Sequence, residues 1–336
     1  MRRLLLRADA SSTIGVGHVS RMVAFAERAR RRDWPVAFSG TLEGADWFAA
    51  RLDELDVTVV DPTDPGDDDA LPDLVRKLGS DVVVVDHYDI GEVRSAVNAA
   101  GAALVSLEGG EFGRREADVV VDSGLHSRPR PDDGSGVVLR GPRYAPLREQ
   151  IRHARRLRAE RSAVRPGQPP EVVVVLGGGA VWREQVTRLA YRLRDTGLPF
   201  DADIVAHGDP DVPPPGPGQR FTVSKPDTRL PERLATADLA VSAAGVTLLE
   251  ACCIGVPTAL VLLVDNQEAG YRAAVEQGFA VGLGRAGALD DATETATETL
   301  ARLLGDPARR ERLASAAADV VDGLGADRVL EAVPAG

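Results

Sequence analysis

The sequence predicts an α/β protein built from doubly wound parallel sheets in two domains. Three observations carry this. Short, nearly continuous apolar runs alternate with longer helical patterns, as parallel strands covered on both faces require. The chain has 336 residues, enough for two domains of ordinary size. A helix-breaking stretch, Arg165-Pro166-Gly167-Gln168-Pro169-Pro170, interrupts the pattern near its middle, which places one domain at 1–165 and a second at 166–336.

The elements follow in order. Leu4-Leu5-Leu6 reads as a short strand, and the loop Gly15-Val16-Gly17 leads from it into a helical pattern over Val19–Arg31. Val82–Val85 and Val119–Val121 read as buried strands, with a helix over Ile90–Ala99. In the second half, strands at Val172–Leu176 and Ala259–Val264 alternate with helices at Arg183–Arg194 and Thr247–Cys253. The stretch Pro213–Gly218 reads as a surface turn. The last helical stretch, Pro307–Leu324, is free to pack on either domain.

Composition narrows the function classes. Lys plus Arg number 40 against 51 Asp plus Glu, a net charge of −11. That excludes the basic surface of a nucleic-acid binder. The one basic run, Arg152-His153-Ala154-Arg155-Arg156-Leu157-Arg158, reads as a solvated helix face. The two cysteines, Cys252 and Cys253, are adjacent in an apolar helix, in no zinc spacing, and read as reduced and structural. The three leucines before Arg7 are too few for a signal peptide, and no uncharged stretch reaches the roughly 20 residues of a membrane span. A cytoplasmic protein without membrane insertion is expected.

Several positions carry possible chemistry. His18 falls in the first turn of a helix, where backbone N–H groups attract anions and disfavour imidazolium, leaving a neutral base. Asp86-His87-Tyr88 ends a buried strand, and Asp86 is placed to orient the His87 imidazole. Gly177-Gly178-Gly179 is either a phosphate cradle or a plain turn. In Ser242-Ala243-Ala244-Gly245-Val246-Thr247 small residues admit a ligand to a helix N-terminus. Glu250 reads as a ribose ligand or as a helix-start acid, and Asn266-Gln267 as ligand donors or a helix cap. No P-loop lysine follows the glycines, and a third glycine at dinucleotide spacing is lacking, with Ser20 in its place.

Together these residues resemble a known family. Arg7-Ala8-Asp9 with Ile14-Gly15-x-Gly17-His18-Val19-x-Arg21, then Asp86-His87-Tyr88, Gly141-Pro142-x-Tyr144-Ala145, Ser242-Ala243-Ala244-Gly245-x-Thr247-x-x-Glu250 and Asn266-Gln267 look like the hydrolase of pseudaminic acid biosynthesis and its spore coat polysaccharide relatives. The resemblance implies a GT-B architecture, two Rossmann-like domains facing a cleft. It implies a UDP-linked acetamido sugar as substrate, His18 as the base that activates water, and no cofactor or metal. UDP would lie on the C-terminal domain, with Glu250 on the ribose and the turn with Ala244, Gly245 and Thr247 near the diphosphate; Gly178, in a glycine turn that departs from the family pattern, stays a candidate on the cradle reading alone. Asn266 and Gln267 would contact the diphosphate or sugar. Asp9 and His87 would line the sugar side, and Gly15, Gly17, Arg21, Tyr88 and Tyr144 are further substrate-binding candidates. The chain carries Glu108-Gly109-Gly110-Glu111 where the family often shows paired aspartates. A nucleotide-sugar hydrolase is therefore the expectation. An inverting glycosyltransferase of the same architecture is the alternative, and a non-catalytic nucleotide-sugar-binding protein the second.

Overall fold

The computed structural model describes residues 1–11, 14–125, 129–161, 167–177, 180–289 and 293–334. The chain forms two compact units, Met1–Glu149 with Gly323–Gly336, and Gln150–Asp322.

The first unit begins β1 (Leu4–Ala8), α1 (Gly17–Arg30), β2 (Val36–Ser39), α2 (Asp46–Glu54), β3 (Thr58–Val60) and α3 (Ala70–Leu78). It continues with β4 (Val82–Asp86), α4 (Arg94–Ala99), β5 (Ala103–Glu108), β6 (Val119–Asp122) and β7 (Val137–Arg140). Its seven strands are all parallel, in the order β3-β2-β1-β4-β5-β6-β7. Helix α5 (Glu149–Glu160) leads into the second unit.

The second unit holds β8 (Glu171–Val175), α6 (Arg183–Arg194), β9 (Phe200–Val205), β10 (Gln219–Ser224), α7 (Leu230–Thr236) and β11 (Leu239–Ala243). Then come α8 (Val246–Ile254), β12 (Thr258–Leu262), α9 (Glu268–Glu276), β13 (Val281–Arg285), α10 (Thr293–Gly305) and α11 (Pro307–Ala318). Its six parallel strands run β10-β9-β8-β11-β12-β13. A final helix, α12 (Gly325–Ala332), belongs to the first unit, where Ala326, Val329 and Leu330 join the core formed by β1 and α1.

Burial explains which strands a sequence reveals. The central strands β1, β4, β11 and β12 are buried at every residue, so each must be apolar almost throughout. Edge strands β3 and β7 expose most of theirs, although they carry Thr58-Val59-Val60 and Val137-Val138-Leu139.

Two helices differ from expectation. The pattern over Ile90–Ala99 becomes helical only at Arg94, and the Ile90 carbonyl accepts a bond from Arg115 Nε at 3.1 Å. The pattern over Pro307–Leu324 ends at Ala318. Asp306 caps its start by accepting the Arg309 N–H, and the chain turns at Gly323 before α12.

Candidate functional site

In an open doubly wound sheet, ligands bind beyond the carboxyl ends of the strands where the winding reverses. In the first unit that point lies between β1 and β4, which pair in register so that Ala8 stands opposite Asp86. Asp9 follows β1 and His18 opens α1. The topology thus gathers His18, Arg21, Asp9, Asp86 and His87.

Asp86 is almost fully buried. Its Oδ1 lies 2.6 Å from His18 Nδ1, and Arg21 donates to both of its oxygens, Nε at 2.5 Å and the second nitrogen at 2.9 Å. Burial alone would raise the carboxyl pKa. The charges and hydrogen bonds of Arg21 and His18 overcome that and hold it well below the usual range. An ionised Asp86 so close repels a lone pair on Nδ1, so Nδ1 carries the proton and donates it. The Arg21 nitrogen 2.9 Å from Nδ1 therefore directs its proton to Asp86. Among the described residues Nε2 is left as the nitrogen with the free lone pair, the arrangement a general base needs.

Beside it stands a second carboxylate–imidazole pair. Asp9 accepts from Arg7 at 2.7 and 3.0 Å and from the Thr41 N–H at 2.8 Å, and lies 2.8 Å from His87 Nε2. The Asp89 N–H donates to His87 Nδ1 at 3.1 Å, so His87 is the Nε2–H tautomer with both nitrogens engaged. Burial opposes ionisation of Asp9. Its bonds to His87, Arg7 and Thr41 win and hold it well below the usual range. The expected pairing of Asp86 with His87 is corrected: the partners are crossed, Asp86 with His18 and Asp9 with His87. Successive side chains on a strand point to opposite faces, so neighbours at the end of β4 cannot serve one another.

Tyr88 stacks edge-on against the His18 ring at 4.9 Å and shares a hydrogen bond with Arg21. Gly15 takes a left-handed conformation (φ 78°), and its N–H donates to Ser11 O at 2.8 Å, closing the turn that delivers Gly17 and His18 to the helix start. Tyr144 lies in a 3-10 turn over Pro142–Tyr144, packed against the core of the first unit. Arg115, which the sequence does not reveal, is buried beneath this group. It donates to Ile90 O, to Ser106 Oγ at 2.6 Å and to His87 O. Burial pulls its pKa down to about 10 against the fields of Asp86, Glu92 and Glu108.

In the second unit the reversal lies between β8 and β11. Beyond β11, Ala244, Gly245 and Thr247 are half-buried around the start of α8, with Gly245 at its N-cap. Glu250 is buried in the second turn of α8 rather than the first. Gln267 closes a 3-10 turn over Asp265–Gln267. Its Oε1 accepts the Leu263 N–H at 3.3 Å, and its Nε2 sits 3.7 Å from where a Cβ on Gly245 would be. Asn266 is exposed beside it. Neither this turn nor α9 is capped by a side chain, so Asn266 and Gln267 do not serve as caps. Gly178 lies outside the described residues.

The basic run is only in part the solvated face expected of it: His153 and Arg156 are exposed, while two other arginines are bonded. Arg155 donates to Cys253 O at 3.2 Å and Val321 O at 2.9 Å, and Arg158 to Ala235 O at 3.2 Å and Ala237 O at 2.8 Å. These guanidinium groups satisfy carbonyls at the ends of α7 and α8 and, at Val321, in the segment after α11. Burial pushes the Cys252 thiol up to about 12 and the Cys253 thiol up to about 11, which makes both unreactive. Among the described residues no helix is long and apolar enough to cross a membrane.

No family model matches the chain. One stretch of 93 residues is 36% identical to the spore coat polysaccharide biosynthesis protein SpsG of Bacillus subtilis, covering 28% of this chain and 27% of that protein. The match thus spans about a quarter of the relative's length. The whole fold is similar to MurG of Acinetobacter baumannii, with a TM-score of 0.71 at 16% identity over 99% of both chains. It is similar to the forosaminyltransferase SpnP at a TM-score of 0.63 and 19% identity, covering 98% of this chain and 95% of that one. It is also similar to the Streptomyces glycosyltransferase SsfS6 complexed with thymidine diphosphate, at a TM-score of 0.59 and 14% identity over 98% and 99%. The fold is the GT-B class: two Rossmann-like doubly wound units. SpnP and SsfS6 are described as a forosaminyltransferase and a glycosyltransferase, which corrects the hydrolase expectation in favour of the alternative; none of these names refers to pseudaminic acid.

Proposed function

We propose that the protein is an inverting glycosyltransferase that uses a nucleoside diphosphate sugar as donor. The observation that carries the reading is the His18–Asp86–Arg21 network at the reversal point of the first sheet. It holds an imidazole by Nδ1 and leaves Nε2 free to take a proton. SpnP and SsfS6 bear glycosyltransferase names, and SsfS6 was crystallised with thymidine diphosphate, which supports a nucleotide donor.

In this reading Nε2 of His18 removes the proton of an acceptor hydroxyl. The acceptor oxygen forms its bond to the anomeric carbon while the bond to the diphosphate oxygen breaks, with inversion. The leaving nucleotide keeps the electron pair. The proton rests on His18, where ionised Asp86 stabilises the imidazolium. Asp9 and His87 brace the wall of this site. The second unit holds the nucleotide: the start of α8 at Ala244–Thr247 and the amide of Gln267 face the diphosphate, and Glu250 takes the ribose hydroxyls. UDP is the nucleotide that the family resemblance implies, and thymidine diphosphate is the one bound in SsfS6.

The test is nucleotide release from UDP- and TDP-linked sugars, with and without an alcohol acceptor, for wild type, His18→Ala and Glu250→Gln. Acceptor-dependent release is expected. His18→Ala should lower it by about 10²–10⁴-fold with nucleotide affinity kept, and Glu250→Gln should weaken nucleotide and donor alike. Release at one rate with or without acceptor overturns the transferase reading.

A further inference from the structure

We propose that Tyr88 and Phe112 form the acceptor platform, a stacking surface for the flat apolar face of a ring-bearing alcohol. This rests on the transferase reading of the same site. Both residues belong to the first unit, and both are far more exposed than such side chains usually are, 41% for Tyr88 and 43% for Phe112. Their ring centroids are 5.8 Å apart and tilted by 46°. Tyr88 in turn meets the His18 ring at 4.9 Å. An unbroken aromatic surface therefore runs from the base outward, where an acceptor hydroxyl must approach.

The surface is fixed rather than draped. Phe112 sits in a tight turn beyond β5, in which the Gly109 N–H donates to Phe112 O at 3.0 Å and the Phe112 N–H to Gly109 O at 3.3 Å. Arg114 donates to Gly110 O at 2.8 Å. Gly113 has φ 70°, and a Cβ there would stand 3.1 Å from Tyr88 Cδ1. Glycine is what lets the Tyr88 ring lie against this backbone. Arg115, next in the chain, bonds His87 O and so holds the segment that carries Tyr88. Rigid rings beside a base recognise a ring by stacking, at little cost in conformational entropy. An aromatic alcohol and a pyranose share this chemistry.

The experiment is ligand-observed NMR binding on the full chain with two probes, 4-methylumbelliferone and methyl β-D-glucopyranoside. It compares wild type with Phe112→Ala and Phe112→Trp, and uses calorimetry with UDP as a control. At least one probe is expected to bind wild type. Phe112→Ala should weaken it by about 5- to 20-fold, Phe112→Trp should retain it, and UDP affinity should not change. Which probe binds separates the aromatic from the carbohydrate source. Failure of both probes to bind wild type, or equal binding by Phe112→Ala, overturns the platform. Probe binding that depends on Phe112 without any sugar transfer would leave the platform standing and overturn the transferase reading instead.

Discussion

His18 Nδ1 and the Asp86 carboxylate lie 2.6 Å apart across 68 residues of sequence. The pair exists because parallel pairing of β1 with β4 sets Ala8 opposite Asp86, and the turn after β1 returns the start of α1 over the end of β4. Arg21, one helical turn after His18, shares the same face of α1 and closes the second side of the carboxylate. One strand register therefore fixes the tautomer of one imidazole.

Replacing Asp86 by Asn tests that relationship. An amide keeps the shape but loses the charge that holds the Nδ1 proton and stabilises the imidazolium. Sugar transfer should fall by about 10²–10⁴-fold in kcat, with donor KM little changed. Steady-state kinetics check it, with UDP calorimetry as the control. A loss confined to KM would remove Asp86 from its proposed role.

Acid should destabilise the first unit through the same carboxylates. Asp9 and Asp86 both titrate in the folded protein well below their ordinary value of 3.8. Between the folded and unfolded values the unfolded chain binds more protons. The stabilisation is therefore complete above about pH 4 and is lost as pH falls through the folded values. Asp9→Asn removes one such group, so its melting temperature should fall less steeply than that of wild type between pH 4 and pH 2. Parallel curves for the two proteins would contradict the assignment.

The central strands and the segments around His18, Asp86 and Gly245 were legible in the sequence because burial on both faces forces continuous apolar runs, and those runs end where the topology gathers polar residues. The edges were not. Strands β3 (Thr58-Val59-Val60) and β7 (Val137-Val138-Leu139-Arg140) are short and expose most of their residues, so burial does not mark their apolar residues as core. The crossed pairing of the two histidines was hidden because it depends on which way each side chain leaves its strand. Arg115 was hidden more deeply. A buried arginine bonded to two carbonyls and a serine has no motif, since its partners are set by the path of the chain and not by spacing.

Arg115 should matter to folding accordingly. Arg115→Met fills similar space but leaves Ile90 O, His87 O and Ser106 Oγ without their donor. Each buried acceptor so stranded costs about 1–3 kcal/mol, offset in part by relief from burying a charge. A net loss of about 2–4 kcal/mol in urea unfolding is expected. A loss below about 1 kcal/mol would show that the charge is as costly as its bonds are useful.

Gly325 poses a direct contest between local propensity and packing. It is the first residue of α12, and in a helix alanine is favoured over glycine by up to about 1 kcal/mol. From the helix alone, Gly325→Ala should stabilise. The surroundings oppose it. A Cβ at 325 would fall 2.2 Å from Ala145 O and 2.4 Å from Tyr144 C, both backbone atoms, so no side chain can swing away. Either the Tyr144–Ala145 turn or α12 must move. Movement would strain the ion pairs that tie α12 to α1 and the turn after it, Arg28 with Asp327 at 3.3 Å and Arg32 with Asp327 at 2.9 Å, and would open the core around Val329 and Leu330. Overpacking of this kind costs about 1–3 kcal/mol, and rigid backbone partners put this site at the upper end. Packing exceeds propensity, and the variant should melt several degrees below wild type, with earlier proteolysis after residue 322. An unchanged or raised melting temperature would mean that α12 does not dock through this glycine.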